Sequence, residues 1–328
     1  MRFAVYGVGG AGGYFGARLA EAGYDVTFIA RGDHLAAIQK SGLRIDSVHG
    51  DFVVNPARAS GDPSEVGAVD YVILGVKAWQ VPDAARAIAP LMGPATAVLP
   101  VQNGVEAADQ IAEALGRAHA LGGTARIISF RAGPGHLKHA GAEPLLEIGE
   151  LDGTRSARVE ALRQAFTKAK GITITFPPDI RVAMWSKFVF IASWSGVGSA
   201  TRVPLQLVRG VPETRRLLEN AMREIEQVGK ANAVQLPEDV VATSMAYIDS
   251  LPPQATPSMQ RDIAEGKPSE IENLTGAVSR LGARTGVATP INTFLYQVLL
   301  PLEQLARGQL QRVAGRDPAA PRDPALNQ

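Results

Sequence analysis

The 328-residue sequence contains no cysteine, which excludes disulfides, thiolate nucleophiles, iron–sulfur ligation and Cys-based zinc sites, and fits a reducing compartment. It has only five histidines, all before Ala140, so no imidazole is available downstream. Excess charge of either sign is also missing. Thirty-three Lys and Arg against 32 Asp and Glu leave +1, and bulk charge recruits neither nucleic acid nor an anionic membrane. Nor is there a long apolar run: the longest charge-free stretch, Ala87 to Val105, is broken by Pro90, Pro94 and Pro100 and cannot be one spanning helix. The start, Phe3 to Ala17, imitates a signal peptide, yet six of its fifteen residues are glycine, a poor helix former. The expectation is a cytoplasmic protein without membrane or nucleic-acid partners, with a homodimer left open.

What is present describes a globular chain. Apolar residues make up 46% and charged residues 20%, and the length suits about two domains at roughly 150 residues each. Arg2 to Tyr6 is a β-prone run, followed by Gly7-Val8-Gly9-Gly10-Ala11-Gly12-Gly13 and an Ala-rich helical stretch ending near Gly23. Asp25–Ala30, Tyr71–Val76 and Ala97–Val101 read as further strands with helical segments between them, which implies a parallel sheet covered on both faces. Arg126 to Glu150 reads as an antiparallel meander closing that sheet domain, followed by a helix over Arg158–Lys170 and a strand over Ile172–Phe176. Pro177-Pro178 continues neither element and marks a boundary. Beyond it Arg181–Ala200 is apolar nearly all round. Pro212–Ala233 carries Leu218, Ala221, Met222 and Ile225 on one stripe, and Pro237–Ser250, Pro268–Thr285 and Pro290–Arg307 each start with proline where a first turn tolerates it. The expected domains are therefore 1–178, α/β, and 179–314, helical, with 315–328 as a proline-bearing disordered tail.

Gly7, Gly9 and Gly12 match G-x-G-x-x-G directly after a strand and at the opening of a helix. There the first glycine makes the turn, the second admits a pyrophosphate, and the third packs helix on strand. The second strand ends in Arg31-Gly32 rather than in a carboxylate, so a 2′-phosphate, and hence NADPH, is favoured over NADH; the other reading gives the ribose to Asp33. Lys77 and Asn103 follow strand ends, where ligands of open parallel sheets bind, although a solvated lysine and an Asn-Gly turn are the plainer readings. Lys187 lies in the most apolar helix, where desolvation would lower its pKa towards that of a useful acid, unless it snorkels from a helix edge. Glu270 would be the third residue of a helix begun by Pro268, which suits capping, yet it shares an inward stripe with Leu274 and Ala277. Ser258 could meet a carboxylate or cap the next helix. His136 and His139, three apart in a strand-like run, face opposite sides, so no metal pair is expected. With no histidine in the helical part, lysine is left as the acid.

These residues carry a resemblance. The glycine-rich start through Gly16, Val76-Lys77-Ala78-Trp79-Gln80, Gln102-Asn103-Gly104-Val105, Trp185-Ser186-Lys187-Phe188, and Pro257-Ser258-Met259-Gln260-Arg261-Asp262-Ile263 through Glu270-Ile271-Glu272 resemble the ketopantoate reductases (2-dehydropantoate 2-reductases), in the same order and over about residues 1–307. The resemblance implies a Rossmann domain followed by an all-helical domain like that of 6-phosphogluconate dehydrogenase, with NADPH-dependent reduction in the cleft between them. It implies Lys187 as general acid, Glu270 ordering lysine and substrate hydroxyl, Gly7, Gly9, Gly10, Gly12, Arg31 and Lys77 toward the cofactor, Asn103 on its side of the cleft, and Ser258 at the substrate. One departure concerns specificity. Pantothenate-pathway members generally carry asparagines four and eight residues after the lysine, and here those positions are Ile191 and Ser195. The expected activity is reduction of 2-dehydropantoate to pantoate in pantothenate and coenzyme A biosynthesis. The alternatives are a paralogue acting on another 2-oxo acid or ketone and a non-catalytic NADP-binding redox sensor.

Overall fold

The structure, a computed structural model, describes residues 1–311; the expected tail at 315–328 lies outside the described residues. In chain order the first half comprises β1 (Arg2–Tyr6), α1 (Gly10–Glu21), β2 (Asp25–Ile29), α2 (Gly32–Ser41), β3 (Leu43–Ser47), β4 (Phe52–Val54), β5 (Arg58–Ser60) and β6 (Tyr71–Leu74). It continues with α3 (Val81–Ala87), β7 (Ala97–Pro100), α4 (Ala107–Leu115), β8 (Gly122–Gly133), β9 (His136–Gly149), α5 (Ala157–Lys168) and β10 (Thr173–Thr175). The remainder is helical: α6 (Ile180–Thr201), α7 (Leu205–Gly210), α8 (Pro212–Ala231), α9 (Val240–Ser250), α10 (Ser258–Ala264), α11 (Thr275–Thr285) and α12 (Pro290–Ala306).

The first sheet is parallel throughout, in the order β5-β2-β1-β6-β7. Every residue of β6 and β7 is buried, which is why these strands read as unbroken apolar runs. The chain leaves β1 for β2 on one side, and β6 returns on the other, so the crevice where the strand order reverses opens at the carboxyl ends of β1 and β6. Gly7 and Gly75 meet there.

The expected meander is instead half of a second sheet. β8 and β9 form a long antiparallel hairpin, and β9 pairs in parallel with β3 along His136–His139 and with β10 along Leu145–Glu147, giving the order β10-β9-β3-β4 with β8 on the far edge of β9. β3 and β4, of five and three residues, are too short to announce themselves as strands. Helix α1 is sandwiched between the two sheets, and its glycines serve both. A Cβ on Gly12 would stand 2.6 Å from the Gly7 carbonyl, and one on Gly16 2.3 Å from Val5; one on Gly13 would stand 2.5 Å from Leu137 of β9.

Helix α6 is buried almost all round and is the axis of the second half, packed by α8, α9, α10 and α12. The stripe Leu218, Ala221, Met222 and Ile225 of α8 is fully buried. Pro212 and Pro290 are the first residues of their helices, whereas α9 starts three residues after Pro237. Pro268 opens no α-helix: a short 3₁₀ turn over Ile271–Asn273 intervenes, and α11 begins only at Thr275.

Candidate active site

The nucleotide side is built by α1. Its opening amides have no intrahelical partner, no side chain caps them, and Gly9 faces space, its nearest neighbour being the Gly75 carbonyl at 3.8 Å from a built Cβ. Gly7 adopts φ +95, open to glycine, and a Cβ there would strike the Val76 amide at 2.7 Å. Gly10 differs, because its missing Cβ would lie 2.0 Å from the Ser129 carbonyl of β8, so this glycine is demanded by packing of the second sheet. Arg31 precedes α2, is exposed, and donates to the Tyr6 hydroxyl at 3.2 Å; Asp33 is exposed beside it. His34, buried on α2, donates from Nε2 to the Val8 carbonyl at 2.9 Å while its Nδ1 accepts from the Gly135 amide at 2.9 Å. That pair of contacts requires a neutral ring, and burial pushes its pKa down. A dinucleotide fits these residues: anion-binding amides, an open second glycine and a guanidinium at the end of β2.

The reacting side lies across the cleft. Lys187 on α6 donates to the Asn103 side-chain oxygen at 2.9 Å and to the Ala125 carbonyl of β8. The Asn103 amide donates in turn to Glu270 at 3.1 Å, and the other Glu270 oxygen accepts the backbone N–H of Ala78 at 3.2 Å. Glu270 therefore does not cap its own helix. It stands just before the 3₁₀ turn and reaches across to the turn that follows β6. Gln102 fixes the loop bearing Asn103 by donating to the carbonyls of Leu74 (2.6 Å) and Val76 (3.1 Å). Gly104, at φ +99, faces the Asn273 carbonyl at 3.0 Å from a built Cβ, so the Asn-Gly turn brings Asn103 to the cleft rather than competing with that role.

Lys187 and Glu270 are only 6% and 5% exposed, so the lysine is interior and not at a helix edge. Burial, helped by the Arg126 guanidinium, lowers the ammonium pKa to about 8, against the opposing pull of Glu270 and Glu147. A lysine so poised remains largely protonated at neutral pH and gives up its proton readily. Lys77 is exposed and pairs with Asp262 of α10 at 2.8 Å, which ties the two halves together. Arg280 does the same with Glu106 at 2.8 Å.

Ile191 and Ser195 follow Lys187 at one and two helical steps on its face. Ile191 is half-buried, and Ser195 is buried with a hydroxyl that has no partner among the described residues. Ser258 is the half-buried first residue of α10, whose N-cap position is taken by Pro257. The two histidines are separately engaged: His136 with Asp46 at 2.8 Å, His139 with the Ser47 hydroxyl at 2.9 Å. No group of acids and histidines suited to a metal occurs among the described residues.

Four contributors escaped the sequence reading of the residues themselves. Gln102 and Asp262 were visible only as members of motifs, because their partners lie 28 and 185 positions away. His34 carried no signal. Arg126 did carry one, a cation set between Ala125 and Ile127 in a strand.

Comparison with known proteins agrees with this architecture. Residues 3–153 match the family model described as Ketopantoate reductase PanE/ApbA, and residues 179–303 match its C-terminal counterpart. The chain is 31% identical to the 2-dehydropantoate 2-reductase of Mesorhizobium japonicum, over 88% of this chain and 94% of that protein. It is 29% identical to the uncharacterized oxidoreductase YkpB of Bacillus subtilis, over 90% and 97%. The crystal structure of 2-dehydropantoate 2-reductase from Geobacter metallireducens superposes with a TM-score of 0.85 at 30% identity, covering 92% of this chain and 99% of that one. Two family models spanning most of the sequence, on a Rossmann-like sheet domain joined to a helical domain, place the chain in the ketopantoate reductase family of NAD(P)H-dependent oxidoreductases.

Proposed function

We propose that the protein reduces a 2-oxo acid with NADPH, 2-dehydropantoate to pantoate being the first assignment, with residues 1–178 holding the cofactor and 179–314 completing the catalytic cleft. The observation that carries this reading is the buried chain Glu270–Asn103–Lys187, which joins both halves at the mouth of the nucleotide crevice. NADPH, when bound, would supply hydride for the substrate carbonyl carbon, C2. Lys187 gives its proton to the carbonyl oxygen, and its positive charge stabilises the alkoxide as it develops. Asn103 holds the lysine amine by its side-chain oxygen, and Glu270 holds Asn103 and favours the charged ammonium. The α1 amides would hold the pyrophosphate over the open Gly9, with Gly7 making the turn and Gly12 packing α1 on the sheet, while Arg31 would meet the 2′-phosphate and Lys77 would add charge on the cofactor side. Ser258 meets the substrate. A non-catalytic redox sensor has no use for a buried lysine held by an asparagine and a carboxylate.

The identity of the 2-oxo acid turns on Ile191 and Ser195. Isoleucine offers no hydrogen bond and serine is shorter than asparagine, so the wall beyond Lys187 is more apolar at 191 and roomier only at 195 than one bearing two asparagines. Ketopantoate is accordingly reduced with weak discrimination against apolar 2-oxo acids such as 2-oxoisovalerate. A panel of 2-oxo acids followed by NADPH absorbance tests this. Absence of turnover on all of them rejects the reductase assignment, and strict ketopantoate preference unchanged by Ile191→Asn rejects the role of this wall.

A further inference from the structure

Arg126 lies on β8 directly after Ala125, whose carbonyl holds Lys187 and whose side chain joins the core under the second sheet. Side chains alternate along a strand, so Arg126 points the other way, toward the helical half. Its guanidinium carbon stands 5.9 Å from the centre of the Tyr247 ring on α9. Tyr247 meets Phe190 edge to face at 4.9 Å, and Phe190 leans on Trp194 at 5.6 Å. Phe190 and Ile191 are three and four residues past Lys187, so ammonium, guanidinium and apolar wall share one side of the cleft.

Apart from the Tyr247 ring, no group among the described residues pairs with this cation. Its Nε is buried without a hydrogen-bond partner, and among the described residues no carboxylate closes an ion pair with it. Glu147 occupies the same face of the hairpin, opposite Thr124, but forms no such pair. An arginine cannot shed its charge as a buried lysine can, so Arg126 keeps repelling the Lys187 ammonium against the pull of Glu270 and Glu147, and an arriving anion relieves that repulsion. A 2-oxo acid presents its carbonyl oxygen and its carboxylate on adjacent carbons, which suits two cations side by side, one a proton donor and one a planar fork.

We propose that Arg126 is a substrate-binding residue that receives the carboxylate of the 2-oxo acid while Lys187 meets the carbonyl oxygen, leaving the substrate side chain against Ile191 and Phe190. This rests on the reductase reading above. The test compares wild type, Arg126→Gln and Arg126→Lys with NADPH on 2-oxoisovalerate and on its uncharged methyl ester. Calorimetry of 2-hydroxyisovalerate binding to the NADP⁺-loaded protein adds a readout independent of turnover. In Arg126→Gln the KM for the acid is expected to rise roughly tenfold to a hundredfold while the ester is unaffected, with partial recovery in Arg126→Lys and unchanged NADPH affinity. An unchanged acid-to-ester ratio, or a loss confined to NADPH binding, overturns the proposal. If Arg126→Gln fails to fold, the same comparison on Arg126→Lys decides, since a shorter point charge cannot reproduce the fork. A wild type that binds the hydroxy acid through Arg126 but reduces no 2-oxo acid sinks the reductase reading and leaves this one standing.

Discussion

At the residue scale the proposed chemistry concentrates on one ammonium group. With its pKa lowered to about 8, Lys187 is roughly nine-tenths protonated at neutral pH, and the rate of reduction should fall as pH rises through about 8. Because Arg126 pushes that pKa down and Glu270 pulls it up, Arg126→Gln should move the alkaline limb of a kcat profile upward and Glu270→Gln downward; limbs that stay put would detach the profile from Lys187. Lys187→Ala is expected to lower kcat by on the order of a hundredfold or more with little change in NADPH affinity, read by turnover and by fluorescence titration of the cofactor. Normal turnover in that variant would return the lysine to a packing role. Arg31 predicts a different measurement. One charge-assisted contact to phosphate is worth roughly 1.5–3 kcal/mol, so NADPH should be preferred over NADH by about tenfold to a hundredfold, and Arg31→Asp should abolish or invert the preference.

At the element scale α1 separates two kinds of glycine that a motif reading treats alike. Gly9→Ala meets nothing nearer than 3.8 Å and should leave the fold intact while weakening cofactor binding, whereas Gly10→Ala drives a methyl onto the Ser129 carbonyl and should lower Tm and expression. Similar melting temperatures for the two variants would show that the hairpin can shift away from α1. His34 links the same loop to the β8–β9 turn in its neutral form. Its folded pKa lies below 6.5, as does that of His139, so the unfolded chain binds more protons in the window just below 6.5. This contribution is present in full above that pH and is lost as pH falls, so Tm should drop between pH 7 and pH 5.5, less steeply in His34→Gln. The strand and helix types around these residues were legible because their apolar periods are long and strong. β3, β4 and β5 were not, since runs of only three to five residues carry too little pattern.

At the scale of the whole molecule the two halves are joined through the functional groups themselves: Lys77 to Asp262, Glu106 to Arg280, and Glu270 to both Asn103 and the Ala78 amide. Glu270→Ala should therefore cost substrate affinity and turnover together and lower Tm, because it leaves a buried amide and Asn103 unpaired, while Asp262→Asn, touching an exposed pair worth about 0.2–1 kcal/mol, should shift Tm little. The sequence by itself determined the class of fold, a glycine-turned parallel sheet followed by helices, because periodicity and turn glycines are local properties that survive without knowledge of partners. It also singled out Lys187 as a lysine in the middle of the most apolar helix, while leaving open whether the side chain would be interior or would snorkel from the helix edge. Only the tertiary structure decided that the hairpin builds a second sheet, that Glu270 bridges the cleft instead of capping its helix, and that Arg126 stands near Lys187 with no ion-pair partner among the described residues. Each of those depends on groups far apart in the chain, and pairings across such separations are set by how whole elements pack, which no local run of residues encodes.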